Sequence, residues 1–151
     1  MGRPRAGEWA KDEFSGLARL GVTDVVSLLE PAEARDLDLQ DEAQLCREAS
    51  IKFYSFPIPD RGVPPSAVAL GQFVWSVHHQ IEWGRAFAIH CRAGIGRSGL
   101  VAAALLLRCG RTPAQAFDQI SISRGMAVPD TPQQAQWLSN NQSAIALRDS
   151  R

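Results

Sequence analysis

A thiol, a guanidinium and several small residues share one short stretch, His90-Cys91-Arg92-Ala93-Gly94-Ile95-Gly96-Arg97-Ser98-Gly99. It lies between an apolar strand-like run, Ala86-Phe87-Ala88-Ile89, and an apolar helix-like run from Leu100 to Leu107. A loop whose glycines let successive N–H groups turn inward, and which ends on a helix N-terminus, presents fixed positive partial charge to an anion such as phosphate. The backbone of Arg92, Ala93, Gly94, Ile95 and Gly96 would form that cradle, and Arg97 would add a planar fork able to hold two oxygens at once. Cys91 at the centre of the field should ionise more readily than a free cysteine. A thiolate beneath a bound phosphate is placed for in-line attack on phosphorus.

Two other readings compete. Gly94-Ile95-Gly96-Arg97-Ser98-Gly99 also fits the G-x-G-x-x-G dinucleotide fingerprint. That fingerprint needs an acidic residue about 20 positions on at a strand end, and the only candidate, Asp118, falls in a helical pattern. Cys91 could instead be a buried structural cysteine. A guanidinium deep in a glycine loop would then lack an anionic partner.

With Ile58-Pro59-Asp60 upstream, the motif His-Cys-x5-Arg-Ser resembles the signature of the cysteine-dependent protein tyrosine phosphatase superfamily, and of its small dual-specificity members most of all. The likeness runs from about Gly21 to Gln142. It implies that Cys91 is a nucleophile forming a cysteinyl-phosphate intermediate, and that Arg97 holds phosphate oxygens through transfer. It further implies that Asp60, on a mobile loop, donates a proton to the leaving oxygen and then serves as base toward water. Closure over the phosphate would desolvate that carboxyl and favour its protonated form. Asp60 could equally be a turn residue ahead of Gly62. By resemblance Ser98 hydrogen-bonds the sulfur, although an N-cap role is open to it as well. His90 would order the loop from behind it. Gln134 lies where the family often carries a glutamine that organises the attacking water, and it is also placed as the capping partner of Thr131. Arg124, before Gly125, either binds a second anionic group or closes a helix. No chemistry is assigned to His78 and His79, and Asp36, Asp38 and Asp41 read as solvated.

These residues need elements to hold them. Trp9, Phe14, Leu17 and Leu20 recur at helical spacing before Gly21. Val22–Leu29 and Ile51–Phe56 read as strands, and 31–49 as polar and mostly helical. The prolines at 57, 59, 64 and 65 force a loop. Ser66–Trp83 carries one apolar stripe. Ala86–Ile89 reads as a strand buried on both faces, placing Cys91 after the carboxyl end of a central parallel strand, where ligands of α/β sheets bind. Thr112-Pro113-Ala114-Gln115 and Thr131-Pro132-Gln133-Gln134 each combine a threonine N-cap, a proline at N1 and a glutamine at N3, marking two helix starts. The expectation is an α/β fold over 1–151, a single domain with a mainly parallel central sheet flanked by helices on both faces. The family's extra N-terminal strand has no clear counterpart, unless Arg3-Pro4-Arg5 is its remnant.

Composition narrows the function. At 151 residues and 45% hydrophobic, the chain suits one domain with a real core. Lys+Arg 16 balances Asp+Glu 16, so neither nucleic acid nor a membrane surface is expected as partner. Cys46, Cys91 and Cys109 cannot pair evenly and show no metal-ligand spacing. No cofactor or metal is expected, and a cytoplasmic monomer acting on a phosphorylated protein or small phosphomonoester is. Arg92 stands where inositol-lipid phosphatases of the superfamily carry a lysine, whereas Ile95 replaces their second one. The leading expectation is therefore metal-independent hydrolysis of phosphotyrosine, with phosphoserine and phosphothreonine as further candidates. Hydrolysis of inositol or nucleotide phosphates is the alternative, and a non-catalytic phosphate-binding module comes after it.

Overall fold

In the computed structural model, residues 1–146 are described, so 147–151 of the expected domain lie outside the described residues. After a 3-10 turn at Gly7–Trp9 the order is α1 (Ala10–Arg19), β1 (Asp24–Ser27), α2 (Pro31–Asp36), α3 (Glu42–Glu48), β2 (Lys52–Ser55), α4 (Ala67–Glu82), β3 (Phe87–His90), α5 (Arg97–Arg108), α6 (Pro113–Arg124), α7 (Pro132–Asn140) and α8 (Gln142–Ala146). All ladder pairs are parallel, in the order β2-β1-β3. Helices cover both faces of the sheet, and the chain folds as one α/β domain.

The side-chain period of two sorts β1 between two cores. Val25, level with Phe53 and Ala88, faces Phe14 of α1 and Cys46 of α3. Val26, level with Tyr54 and Ile89, faces Leu70 and Val74 of α4 and Leu100, Val101 and Ala104 of α5. α5 is buried without a break from Arg97 to Val101 because it runs between α4, α6 and α8, so its apolar positions need not follow one stripe. Truncating Leu100, fully buried there, to alanine would cost about 2–5 kcal/mol.

One expectation needs correcting. β1, not β3, is the middle strand, and the strand leading into the Cys91 loop lies at one side of the ladder. Its outer side is met by the start of the chain, where the Met1 nitrogen donates to the Ile89 carbonyl at 2.6 Å and Arg3 N–H to the Arg92 carbonyl at 3.1 Å. The polar stretch 31–49 forms two short helices, interrupted around Asp38 with φ 55°. Both threonine-proline motifs form complete capping boxes, each glutamine side chain accepting from the N-cap N–H.

Candidate active site

The turn from β3 into α5 requires glycine at two positions. Gly94 takes φ 77°, and a Cβ there would fall 2.3 Å from the Gly2 nitrogen. A Cβ on Gly96 would meet the Gln134 amide at 2.9 Å. The loop so formed encloses Cys91, whose residue is only 2% exposed. Gly94 N–H donates to Cys91 Sγ at 3.2 Å, and Ser98 Oγ lies 3.4 Å from the same sulfur. Burial pushes the Cys91 thiol up; the Ser98 hydroxyl, the Ser98 and Gly94 amides and the Arg97 charge outweigh it and leave the thiol below its ordinary value. Cys46 shows the opposite case. Buried in the other core beside Glu42, its thiol is pushed up to about 12.

Arg97, 2% exposed, opens α5 and is held from two sides. Its Nη1 donates to Glu33 Oε2 at 2.7 Å and to the Ile58 carbonyl at 3.0 Å. Its Nη2 donates to Glu33 Oε1 at 2.8 Å and to Asp60 Oδ1 at 2.9 Å. This fork-to-fork geometry fixes the plane of the guanidinium. The Arg97 hydrogen bond holds the Glu33 carboxyl below its usual value against the effect of burial. Asp60 stays half exposed, with Oδ2 4.0 Å from Arg92 Nη1.

A cleft of about 200 Å³ opens over the sulfur, lined by Asp60, Arg61, Cys91, Arg92, Ala93, Ile95, Gly96, Arg97, Asp130 and Gln134. Arg61 and Asp130 pair at its rim at 3.2 Å. Gln134, fully buried, completes the Thr131 capping box and also donates from Nε2 to the Gly62 carbonyl at 2.9 Å. It thereby ties the Asp60 loop to the start of α7, with its amide packed close to Gly96 of the Cys91 loop. Ser98 is not the N-cap of α5, a place taken by Gly96; its hydroxyl turns to the sulfur instead. Arg124 ends α6 and also donates to the Gly94 carbonyl at 2.8 Å. His90 is fully buried, its Nε2 2.7 Å from Glu42 Oε1 and its Nδ1 3.4 Å from the Cys91 carbonyl oxygen. His78 and His79 lie on α4, and Asp36, Asp38 and Asp41 are exposed and do not line the cleft. Asp118 sits on α6 instead of at a strand end, which removes the dinucleotide reading. Among the described residues no group of three or more His, Cys, Asp or Glu is placed to hold a metal ion, and no helix is long and apolar enough to cross a membrane.

Glu33 and Glu42 join the site without any signal in the sequence. They stand 64 and 48 positions from the residues they bind, in a polar stretch whose local pattern indicates only helix. Nothing in the spacing marks them.

Comparison with known proteins agrees with this geometry. Residues 1–111 match the family described as "Polymorphic toxin system, DSP-PTPase phosphatase". Cyclin-dependent kinase inhibitor 3 of Sus scrofa is 32% identical over 124 residues, covering 81% of this chain and 58% of that protein. The chain therefore spans somewhat over half the length of that relative. The crystal structure of kinase associated phosphatase with its catalytic-site cysteine replaced by serine superposes with TM-score 0.87 at 23% identity, over 97% of this chain and 86% of that one. Tk-PTP in its active form gives TM-score 0.76 at 27% identity, over 89% of this chain and 86% of the other.

Proposed function

This chain belongs to the dual-specificity family of cysteine-dependent protein tyrosine phosphatases, and on that footing we propose that it hydrolyses phosphomonoesters on proteins through a cysteinyl-phosphate intermediate. One observation carries the proposal: a buried sulfur receives an inward-facing N–H at 3.2 Å beside a guanidinium that a carboxylate holds in a fixed plane. Such a site is organised for an anion before the anion arrives.

Asp60 Oδ1 occupies Arg97 Nη2, so an incoming phosphate oxygen must take its place there. The displaced carboxyl then stands at the mouth of the cleft, on the side from which the leaving oxygen departs. Cys91 Sγ attacks phosphorus, and the P–O bond to the leaving group breaks as Asp60 supplies the proton. Charge spreading over the phosphoryl oxygens is met by Arg97 and the loop amides. Water then attacks the thiophosphate, Asp60 takes its proton, and the Ser98 hydroxyl 3.4 Å away stabilises the departing thiolate. In this reading Gln134, which lines the cleft, orients that water through the Nε2 hydrogen that Gly62 does not take.

Phosphotyrosine, phosphoserine and phosphothreonine are all proposed substrates. Among the described residues no aromatic side chain lines the cleft, so nothing there selects for a phenyl ring. Arg61 and Arg92 at the rim favour the second reading, hydrolysis of inositol or nucleotide phosphates. The working form we propose is a cytoplasmic monomer without metal or cofactor. Balanced charge and three free cysteines support that setting. The test is steady-state hydrolysis, with chelator present, of phosphotyrosine, phosphoserine and phosphothreonine peptides, inositol phosphates and an aryl phosphate. Turnover of the peptides is expected. A kcat/KM for inositol phosphates that exceeds every peptide's, or no turnover at all, would overturn the proposal.

A further inference from the structure

A second cavity, of about 290 Å³, opens at the carboxyl ends of β1 and β2 and is walled by α2 and α3. No residue lines both it and the cleft over Cys91. The strand period explains its place. Ser27 and Ser55, level with one another, point to the same side of the sheet as Val25, the side that packs on Cys46 of α3. Ser27 is 3% exposed and lines the cavity, yet among the described residues its hydroxyl has no hydrogen-bond partner. A hydroxyl taken out of water in this way is costly to the fold unless something in the cavity meets it. Glu42, also buried, lines the same floor. One of its carboxylate oxygens meets His90 Nε2, and the other has no hydrogen bond among the described residues. At the outer edge Arg35 is exposed and has no ion pair among the described residues. The rest of the wall is largely apolar, with Leu29, Leu39 and Phe53.

We propose that this cavity is a binding site for a free amino acid with an apolar side chain. The carboxylate of the amino acid pairs with Arg35, its amine donates to the Ser27 hydroxyl and the unused Glu42 oxygen, and its side chain lies on Leu29, Leu39 and Phe53. Apolar walls with a few convergent polar groups are the usual composition of small-molecule sites, whose volumes run upward from about 300 Å³. This cavity stands at the lower limit of that range, which suits a single amino acid better than a nucleotide. A cationic edge over an acceptor-lined floor selects a molecule that carries an anion and a donor together. A plain fatty acid would leave Ser27 and Glu42 unmet, and a plain amine would leave Arg35 unmet. None of the residues that contact phosphate in the reaction above lines this cavity, so the site does not depend on that reaction.

The test is an NMR titration of the isotope-labelled protein with L-leucine, beside two analogues that each lack one group, isocaproate without the amine and isoamylamine without the carboxylate. L-leucine should shift the amides of Ser27, Leu39 and Phe53 saturably, with a Kd in the millimolar range expected of so small a ligand. Each analogue should bind at least about threefold more weakly. Ser27→Ala should melt no lower than the parent, because no hydrogen bond of the fold is lost, and should bind L-leucine about two- to tenfold more weakly. Arg35→Gln, on the exposed edge, should lower the affinity about two- to fivefold. The proposal is overturned by the absence of a saturable shift at the cavity, by equal binding of isocaproate or isoamylamine, or by unchanged affinity in Ser27→Ala and Arg35→Gln. A Ser27→Ala protein that unfolds or melts lower would show that the hydroxyl has a partner in the fold, and would overturn it as well. None of these readouts needs turnover, so a failure of the phosphatase reading would show separately, in the substrate panel.

Discussion

Glu33→Gln tests how far the site depends on the plane of Arg97. In the parent both carboxylate oxygens are used, at 2.7 and 2.8 Å, by a guanidinium that is 2% exposed, and the Glu33 side chain itself is 11% exposed. Glutamine keeps the shape but offers one oxygen, and its NH2 group turns toward the second Nη. One charge-assisted hydrogen bond is lost, about 1.5–3 kcal/mol. Removing one partner of a buried ion pair costs about 3–5 kcal/mol. Asp60 and the Ile58 carbonyl still hold the guanidinium, so the lower end of that range, ~3 kcal/mol, is expected. At roughly 2–4 °C per kcal/mol for a chain of this size, the melting midpoint should fall by roughly 6–12 °C. The Glu33 carboxyl lies below its ordinary 4.5 in the folded state, so its contribution is complete above that value and disappears as pH falls through the folded one. The parent and Glu33→Gln should therefore differ fully at neutral pH and converge in acid. A guanidinium tilted by about 1 Å should lower kcat/KM on an aryl phosphate about a hundredfold. Melting within a degree of the parent and kcat/KM within a factor of two would refute the reasoning.

Other perturbations address the remaining groups. Arg97→Lys should be nearly as damaging to turnover as Arg97→Ala, because an ammonium cannot bridge Glu33 and phosphate in one plane; near-parent turnover would take Arg97 out of contact with substrate. Asp60→Asn should slow hydrolysis of phosphotyrosine and alkyl phosphates by roughly a hundred- to ten-thousand-fold, with a smaller loss on an aryl phosphate whose leaving group needs no proton, and equal losses on both would point to another acid. In native protein Cys91 should be alkylated below the pH at which an ordinary thiol reacts, with Cys46 unreactive until unfolding; the reverse order, read by peptide mass mapping, would contradict the loop electrostatics.

The features legible in the sequence are those that local chemistry encodes. The capping boxes at Thr112 and Thr131, the proline-bounded Asp60 loop and the glycine turn after Cys91 each declare themselves within a few residues. The left-handed residue of the Asp60 turn is Arg61, φ 54°, and not Gly62, because the turn closes through Gly62 N–H on the Pro59 carbonyl. Strand order is less legible, since β3, a continuous apolar run, reads as central; β1 is the more buried of the two, and one side of β3 is met by residues 1–3. Glu33 and Glu42 are illegible for a different reason. Each looks like any acid in the first turn of a short helix, and only the packing of α2 and α3 beside the loop gives them partners. Asp60 reads in the sequence as an acid waiting on a mobile loop, whereas in the fold its carboxylate lies on Arg97.

The measurement bearing most directly on the mechanism is the chemical state of Cys91 during turnover. Mixing the protein with a phosphotyrosine peptide, quenching in acid within the first turnover and mapping the digest by mass should place a phosphoryl group on the peptide that contains Cys91, and none on the same peptide from Cys91→Ser. Undiminished turnover by Cys91→Ser, or a phosphoryl group found on any other residue, would contradict the account.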